Sequence, residues 1–294
     1  MHLAISGTEL DPSDSISVLI NAARALKVTH LEVWHPKNFQ VEGARQSISL
    51  IRDAGLGVAC VSTGSELYRA GGSSADLELL LEGIEIAHAC GAPFANTYFG
   101  YCPTQDDAAA VEVYLKHLEP CLKLAAQLGV TIVLENEFNA FGVDPAKSDI
   151  TRRPRSLLKL VETANSPHFR LNFDACNFYC AGVEPFPYAY EMLKGYIAYV
   201  HVKDGSVYDP VFHQSATLWR RYRDYEQEYI MRPMGEGAVN WGALLARLSA
   251  EGYSGFLTLE PHSAKSEMAS AWAQAIGYVN AFLHRSEEED RHGD

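Results

Sequence analysis

The 294-residue chain has no run of 18 or more apolar residues, so a membrane-spanning helix is excluded. It has no excess of positive charge. Lys and Arg total 24 against 37 Asp and Glu, a formal net charge of −13. A nucleic acid would be repelled unless the cations were gathered into one patch. The densest basic cluster, Arg220, Arg221 and Arg223, is interleaved with Asp224, Glu226 and Glu228. The chain also lacks a C-x-x-C pair. Its six cysteines, Cys60, Cys90, Cys102, Cys121, Cys176 and Cys180, are scattered, which does not read as a disulfide framework. The first ten residues, MHLAISGTEL, lack the apolar core of a signal peptide. A reducing, cytoplasmic setting is the expectation. No G-x-G-x-x-G follows the first apolar run, and no Gly-rich phosphate loop is evident.

What is present is a core-forming composition, 47% hydrophobic and 21% charged, arranged in a recurring pattern. A helical stretch ends in Gly or a polar break, and a short apolar run follows it. The pattern occurs in RDAGLGVACVSTG, AHACGAPFANTYFG, AAQLGVTIVLENE and SAEGYSGFLTLEPH. Gly after a helix takes the left-handed conformation that ends it, and the apolar run suits a strand buried on both faces. HLAISG, THLEVWH, FRLNFDACN and IAYVHVKDG fit the strand part alone. Eight strands are therefore predicted, ending near Gly7, His35, Thr63, Tyr98, Glu137, Asn177, Asp204 and His262. Helices lie between them, for example Ala75–Cys90 and Asp106–Leu128. Eight such alternations indicate a single-domain α/β fold, a (β/α)8 barrel over residues 1–285. An open doubly wound sheet is the alternative, and it would want a dinucleotide loop after the first strand. Residues 286–294 are expected to form an acidic tail. Ser206 to Asn240 breaks the rhythm as a long insert, read either as a lid or as a helical decoration on the rim or on a second copy of the chain.

In such a barrel the chemistry sits at the C-terminal ends of the strands. The fifth strand ends in Glu135 and Glu137 and the sixth in Asp174. The seventh carries His201, Lys203 and Asp204, and the eighth ends in Glu260 and His262. Side chains two apart share a face of a strand. The apolar Val200, Val202, Leu257 and Leu259 therefore face the helices and leave the charged set inward. Inward charge is costly unless paired or bound to metal. Three carboxylates and one imidazole suit Mn²⁺ or Mg²⁺, and also Co²⁺, Fe²⁺ or Zn²⁺. Taken singly, each of these residues reads as a cap, a salt bridge or a satisfied core group.

The pieces LENE, NFDACN, HVKDG, GEGAVNW and LTLEPH, with E, D, H, E over the last four strands, resemble the sugar phosphate isomerase/epimerase superfamily, the xylose isomerase-like barrels. The order of these residues resembles that of the D-tagatose 3-epimerase-like and inosose dehydratase-like members. The resemblance implies that Glu135, Asp174, His201 and Glu260 bind one divalent metal, and that Glu135 and Glu260 act as an acid/base pair. Many such proteins carry D-x-x-H on strand six, where this chain has Asn177. That departure speaks against a second metal. Glu137, Asn177, Lys203, Arg232, His35 and Trp34 are candidate substrate-binding residues. Glu32, Asn96 and Tyr98 are further groups at strand ends, and Glu236 is read as holding the RPMGEG loop.

The expected activity is proton transfer next to the ketone of a sugar or polyol-derived substrate, by a metal-dependent isomerase or epimerase. The rival is a dehydratase of the inosose or dehydroshikimate type, in which Lys203 assists a departing hydroxyl. A nuclease is disfavoured by charge and by too few histidines. A non-catalytic sugar-binding barrel is disfavoured by the intact set of four.

Overall fold

The computed structural model describes residues 1–68, 74–103, 107–138, 146–213, 217–224 and 227–292, with side chains to residue 283. Eight parallel strands close into a barrel: β1 His2–Ser6, β2 His30–His35, β3 Gly57–Tyr68, β4 Phe94–Gly100, β5 Thr131–Glu135, β6 Phe169–Asp174, β7 Ile197–Val202 and β8 Phe256–Leu259. Each strand pairs with its neighbour in sequence, and β1 pairs with β8 in register His2 to Phe256, which leaves no open edge. The fold is a (β/α)8 barrel, as the eightfold alternation predicts.

The helices form for local reasons. In α1 (Ser17–Leu26), Leu19, Ile20 and Ala23 form the buried stripe, and Lys27 at φ 57° ends the helix. In α2 (Pro154–Ala164), Pro starts the first turn, Leu157, Leu160 and Val161 are buried, and Asn165 at φ 41° stops it. Burying each of those three side chains contributes about 1.5–3 kcal/mol, an upper value because the unfolded chain is itself partly collapsed. The four predicted terminators, Gly55, Gly91, Gly129 and Gly252, all have φ between 70° and 74°. The predicted helices at 75–90 and 106–128 are found as Ser74–Cys90 and Asp107–Leu128; residue 106 lies outside the described residues. The last helix, Met268–His292, carries its backbone through most of the stretch expected to be a tail; the final two residues lie outside the described ones.

Two strand boundaries differ from expectation. β3 runs on to Tyr68 rather than stopping at Thr63, with a register shift against β4 between Ser62 and Glu66. β6 stops at Asp174 rather than at Asn177, because the Asp174 carboxylate accepts from the Asn177 N–H at 2.8 Å and caps a short helix, Ala175–Cys180.

The insert is not helical among its described residues. Asp204–Val207, Glu228–Arg232 and Arg221–Arg223 form a three-stranded antiparallel sheet in that spatial order. Beside it, Trp219 pairs antiparallel with Ser263, so the insert lies against the segment that follows β8. The RPMGEG turn is held by Asp204 as well as by Glu236, which pairs with Arg232 at 3.0 Å and accepts from Gln274 at 3.3 Å. The Asp204 carboxylate accepts from the N–H groups of Gly205, Gly235, Gly237 and Val239 at 2.9–3.3 Å. A Cβ at Gly237 would collide with Asp204 Oδ1, so only glycine allows this approach. Burial pushes the Asp204 carboxyl up to about 6, although the four donors pull it down. Asp204→Ala strands those N–H groups and is expected to cost about 3 kcal/mol, read as a lowered midpoint in chemical unfolding; an unchanged midpoint would count against the clamp.

All six cysteines are free. No described helix is long and apolar enough to cross a membrane.

Candidate metal and active site

The barrel interior is apolar at its base and polar above. Ala4, Ala59, Cys60, Val133 and Tyr199 pack there, with Phe94, Ala198 and Phe256 against them. One layer higher, β5 to β8 deliver Glu135, Asp174, His201 and Glu260. Each is at most 2% exposed, and one ligand atom from each lies within 4.8 Å of the others. Ligands about 2.1 Å from an octahedral ion stand about 3 Å apart when adjacent and about 4.2 Å when opposite. His201 Nδ1 is 3.0 Å from Glu135 Oε1 and 3.2 Å from Glu260 Oε2. Asp174 Oδ2 is buried and makes no well-aligned hydrogen bond, only a 2.8 Å ion pair with the Lys203 ammonium. A buried, oxygen-rich set with one nitrogen and an under-used carboxylate oxygen fits a hard divalent ion.

Each donor is oriented by neighbours. His201 Nε2 faces Glu32 Oε2 at 2.9 Å, which leaves Nδ1 toward the cluster. Glu32 also accepts from the Ser6 hydroxyl at 2.7 Å, and the Trp34 indole donates to Ser6 at 3.2 Å. Glu135 is held by three amides, from Asn96, Asn172 and Asn177, at 3.2–3.3 Å. Burial acts against the His201 imidazolium, yet Glu135, Glu260 and Glu32 outweigh it and hold its pKa well above the ordinary value. Burial likewise acts against the Lys203 ammonium and is outweighed by Asp174, Glu260, Glu135 and Glu137. Burial pushes the Glu260 carboxyl up, but His201 and Lys203, with hydrogen bonds from His201 and His262, hold it well below the carboxylate range. Glu137 goes the other way, pushed well above that range by burial and then by the Glu135 charge.

Above the cluster lies a cavity of about 250 Å³. Larger clefts exist elsewhere, such as one of about 460 Å³ beside the insert, but the titratable groups of the strand ends converge on the smaller one. Glu135, Glu137, Asn177, Lys203, Glu260 and Trp34 line it as expected. Trp34 stacks on Tyr98, another lining residue, with centroids 6.3 Å apart. Asn177 spends its N–H₂ on Glu135 and on the Asn136 carbonyl, and its Oδ1 is buried without a partner, an acceptor free for a ligand.

Two expected substrate residues are not brought to the cavity. His35 follows Trp34 by one position and so points to the other face, where its Nε2 meets Glu82 of Ser74–Cys90 at 2.8 Å. Arg232 pairs with Glu236 at 3.0 Å and is not among the residues that line the cavity. The arginine that does line the cavity is Arg220, together with Tyr222 from the same strand segment. The Tyr222 hydroxyl is 2.5 Å from His262 Nδ1, and His262 Nε2 is 3.4 Å from Glu260. Glu32 stands two residues before Trp34 on β2, a spacing that puts both on one face. Arg220 carried only the two-residue spacing to Tyr222.

No curated protein sequence matches the chain. Among solved structures, the fold is similar to a xylose isomerase domain protein from Planctomyces limnophilus, at 19% identity over 97% of each chain and a TM-score of 0.75. It is similar to an L-ribulose 3-epimerase, at 16% identity over 100% of this chain and 98% of that one, TM-score 0.75. It is also similar to the probable 3-DHS dehydratase AsbF from Bacillus anthracis, at 17% identity over 94% and 99%, TM-score 0.70. The model of one family matches residues 20–282, most of the barrel, and the chain belongs to that family, the xylose isomerase-like TIM barrels.

Proposed function

We propose that the protein is a divalent-metal-dependent sugar isomerase or epimerase that moves a proton next to the ketone of a sugar or polyol-derived substrate. The observation that carries this reading is the convergence of Glu135 and Glu260, from the two ends of a four-strand arc, with Asp174 and His201, in one buried cluster whose two glutamates line the cavity. Glu135, Asp174, His201 and Glu260 would hold the ion, with Mn²⁺ the best match to their chemistry. When bound, the ion polarises the carbonyl and stabilises the negative charge that develops on its oxygen. Glu260, with the Lys203 ammonium 3.0 Å from its Oε2, takes the proton from the carbon beside the carbonyl. Glu135, positioned by three amide donors, carries the proton that is returned to the opposite face or the adjacent carbon, and the proton taken by Glu260 is released to solvent before the next turnover. Trp34 and Tyr98 offer an aromatic wall to the sugar, and Asn177 Oδ1 accepts from a hydroxyl. The acidic lining disfavours a polyanion such as nucleic acid.

A dehydratase is the second reading, and Lys203 favours it. Its ammonium lines the cavity 3.0 Å from Glu260 Oε2, where it can assist a departing hydroxyl. Proton NMR of candidate ketoses and inososes in D₂O with Mn²⁺ separates the two. Deuterium beside the carbonyl with the carbon skeleton and oxygens retained supports the isomerase or epimerase; loss of water supports the lyase. In the favoured reading Lys203→Met mainly raises KM. A large fall in kcat with exchange into D₂O retained would reverse the order of the two readings.

A further inference from the structure

The insert supplies the cavity with a recognition end that proton transfer does not use. Along residues 220–223 the side chains alternate. Arg220 and Tyr222 line the cavity, whereas Arg221 lies over the Tyr208 ring at 4.5 Å and Arg223 pairs with Glu228 at the surface. The Arg220 backbone is fixed on both sides. Its N–H donates to the His262 carbonyl at 3.0 Å, and its carbonyl accepts from the Met231 N–H at 2.9 Å. Its side chain is 54% exposed and stands at the mouth. One guanidinium nitrogen is taken by Glu9, whose side chain is only 5% exposed. Glu9 comes from the loop after β1, next to Thr8, which also lines the cavity.

Charge decides what this end can hold. Arg220 is matched by Glu9, and Lys203 by Asp174 and Glu260. Glu135 and Glu260 line the same walls, so neither cation stands without a carboxylate partner nearby. A phosphate or carboxylate arriving there meets a guanidinium already paired with a buried carboxylate, which it would have to displace. A hydroxyl accepts from the guanidinium without needing a counter-charge. We infer that Arg220, held by Glu9, is the specificity-determining residue at the solvent-side end of the substrate, where it binds an uncharged hydroxyl and discriminates against substrates phosphorylated or carboxylated at that end. This rests on the ketone-sugar reading above and deepens it.

The test compares D-fructose with D-fructose 6-phosphate, and D-ribulose with D-ribulose 5-phosphate, on the Mn²⁺-loaded protein, by deuterium exchange and by titration calorimetry. The wild-type protein prefers each free ketose over its phosphate by about 10²-fold. Arg220→Met raises KM for the free ketose about 10-fold, as expected for a lost charged hydrogen bond, with kcat little changed. Glu9→Gln keeps a hydrogen-bonding partner but releases the charge of Arg220, and narrows the preference about 10-fold. A structural role alone would lower both members of a pair alike and leave the ratio unmoved, which overturns the inference. So does preference for the phosphate that Arg220→Met removes. If no probe exchanges deuterium or loses water, the ketone-sugar reading fails separately, and calorimetric affinities of the same probes still decide whether Arg220 prefers the free or the phosphorylated end.

Discussion

Asp174→Asn is expected to weaken binding of a divalent ion at least about 10²-fold, because partners one shell further out already account for 10- to 100-fold. Asn keeps the shape of the side chain and can still cap Ala175–Cys180 through the oxygen that meets the Asn177 N–H. The fold should therefore survive while Oδ2, the oxygen left to the ion, becomes an amide. His201→Ala removes the only nitrogen of the set and also leaves Glu32 facing an empty position. Chelation of the wild-type protein should abolish turnover, and Mn²⁺ should restore it. The measurements are metal content after dialysis and thermal unfolding with added Mn²⁺. An ion at 100 times its Kd stabilises the folded state by about 2.7 kcal/mol, and that gain should vanish in the double variant. A double variant that keeps one ion per chain would exclude these residues as its ligands.

Glu260→Gln should lower kcat at least about 10²-fold, the usual range for loss of a general base. The change is nearly isosteric, and an amide oxygen can still accept from Lys203, which lies 3.0 Å from Oε2. What is lost is the ability to take a proton. Circular dichroism and metal content would show whether fold and ion are retained, so that the rate effect can be assigned to proton transfer. Near-normal turnover in a folded, metal-loaded variant would mean that the proton moves through another residue.

The sequence by itself determined the barrel and the convergence of the four candidate ligand residues. Both are written locally. Gly55, Gly91, Gly129 and Gly252 mark where helices stop, and each following apolar run is long enough only for a strand. Within such a run, apolar residues on one face force the remaining side chains inward. That places Glu135, His201 and Glu260 without any knowledge of neighbours.

Tertiary structure decided what those residues meet. Glu32 and His201 are 169 residues apart, and they touch only because the closed barrel brings β2 and β7 to one axis. On β2 the choice between Trp34 and His35 is a matter of strand phase, and both are partly apolar, so the sequence leaves it open. The insert shows the same limit more strongly. Arg232 ends one strand of the small antiparallel sheet and Arg220 directly precedes the strand beside it, and which arginine reaches the cavity follows from how the insert packs against the segment after β8. That packing comes from long-range backbone pairing between Leu218–Arg220 and His262–Ala264, for which local side-chain pattern carries no record.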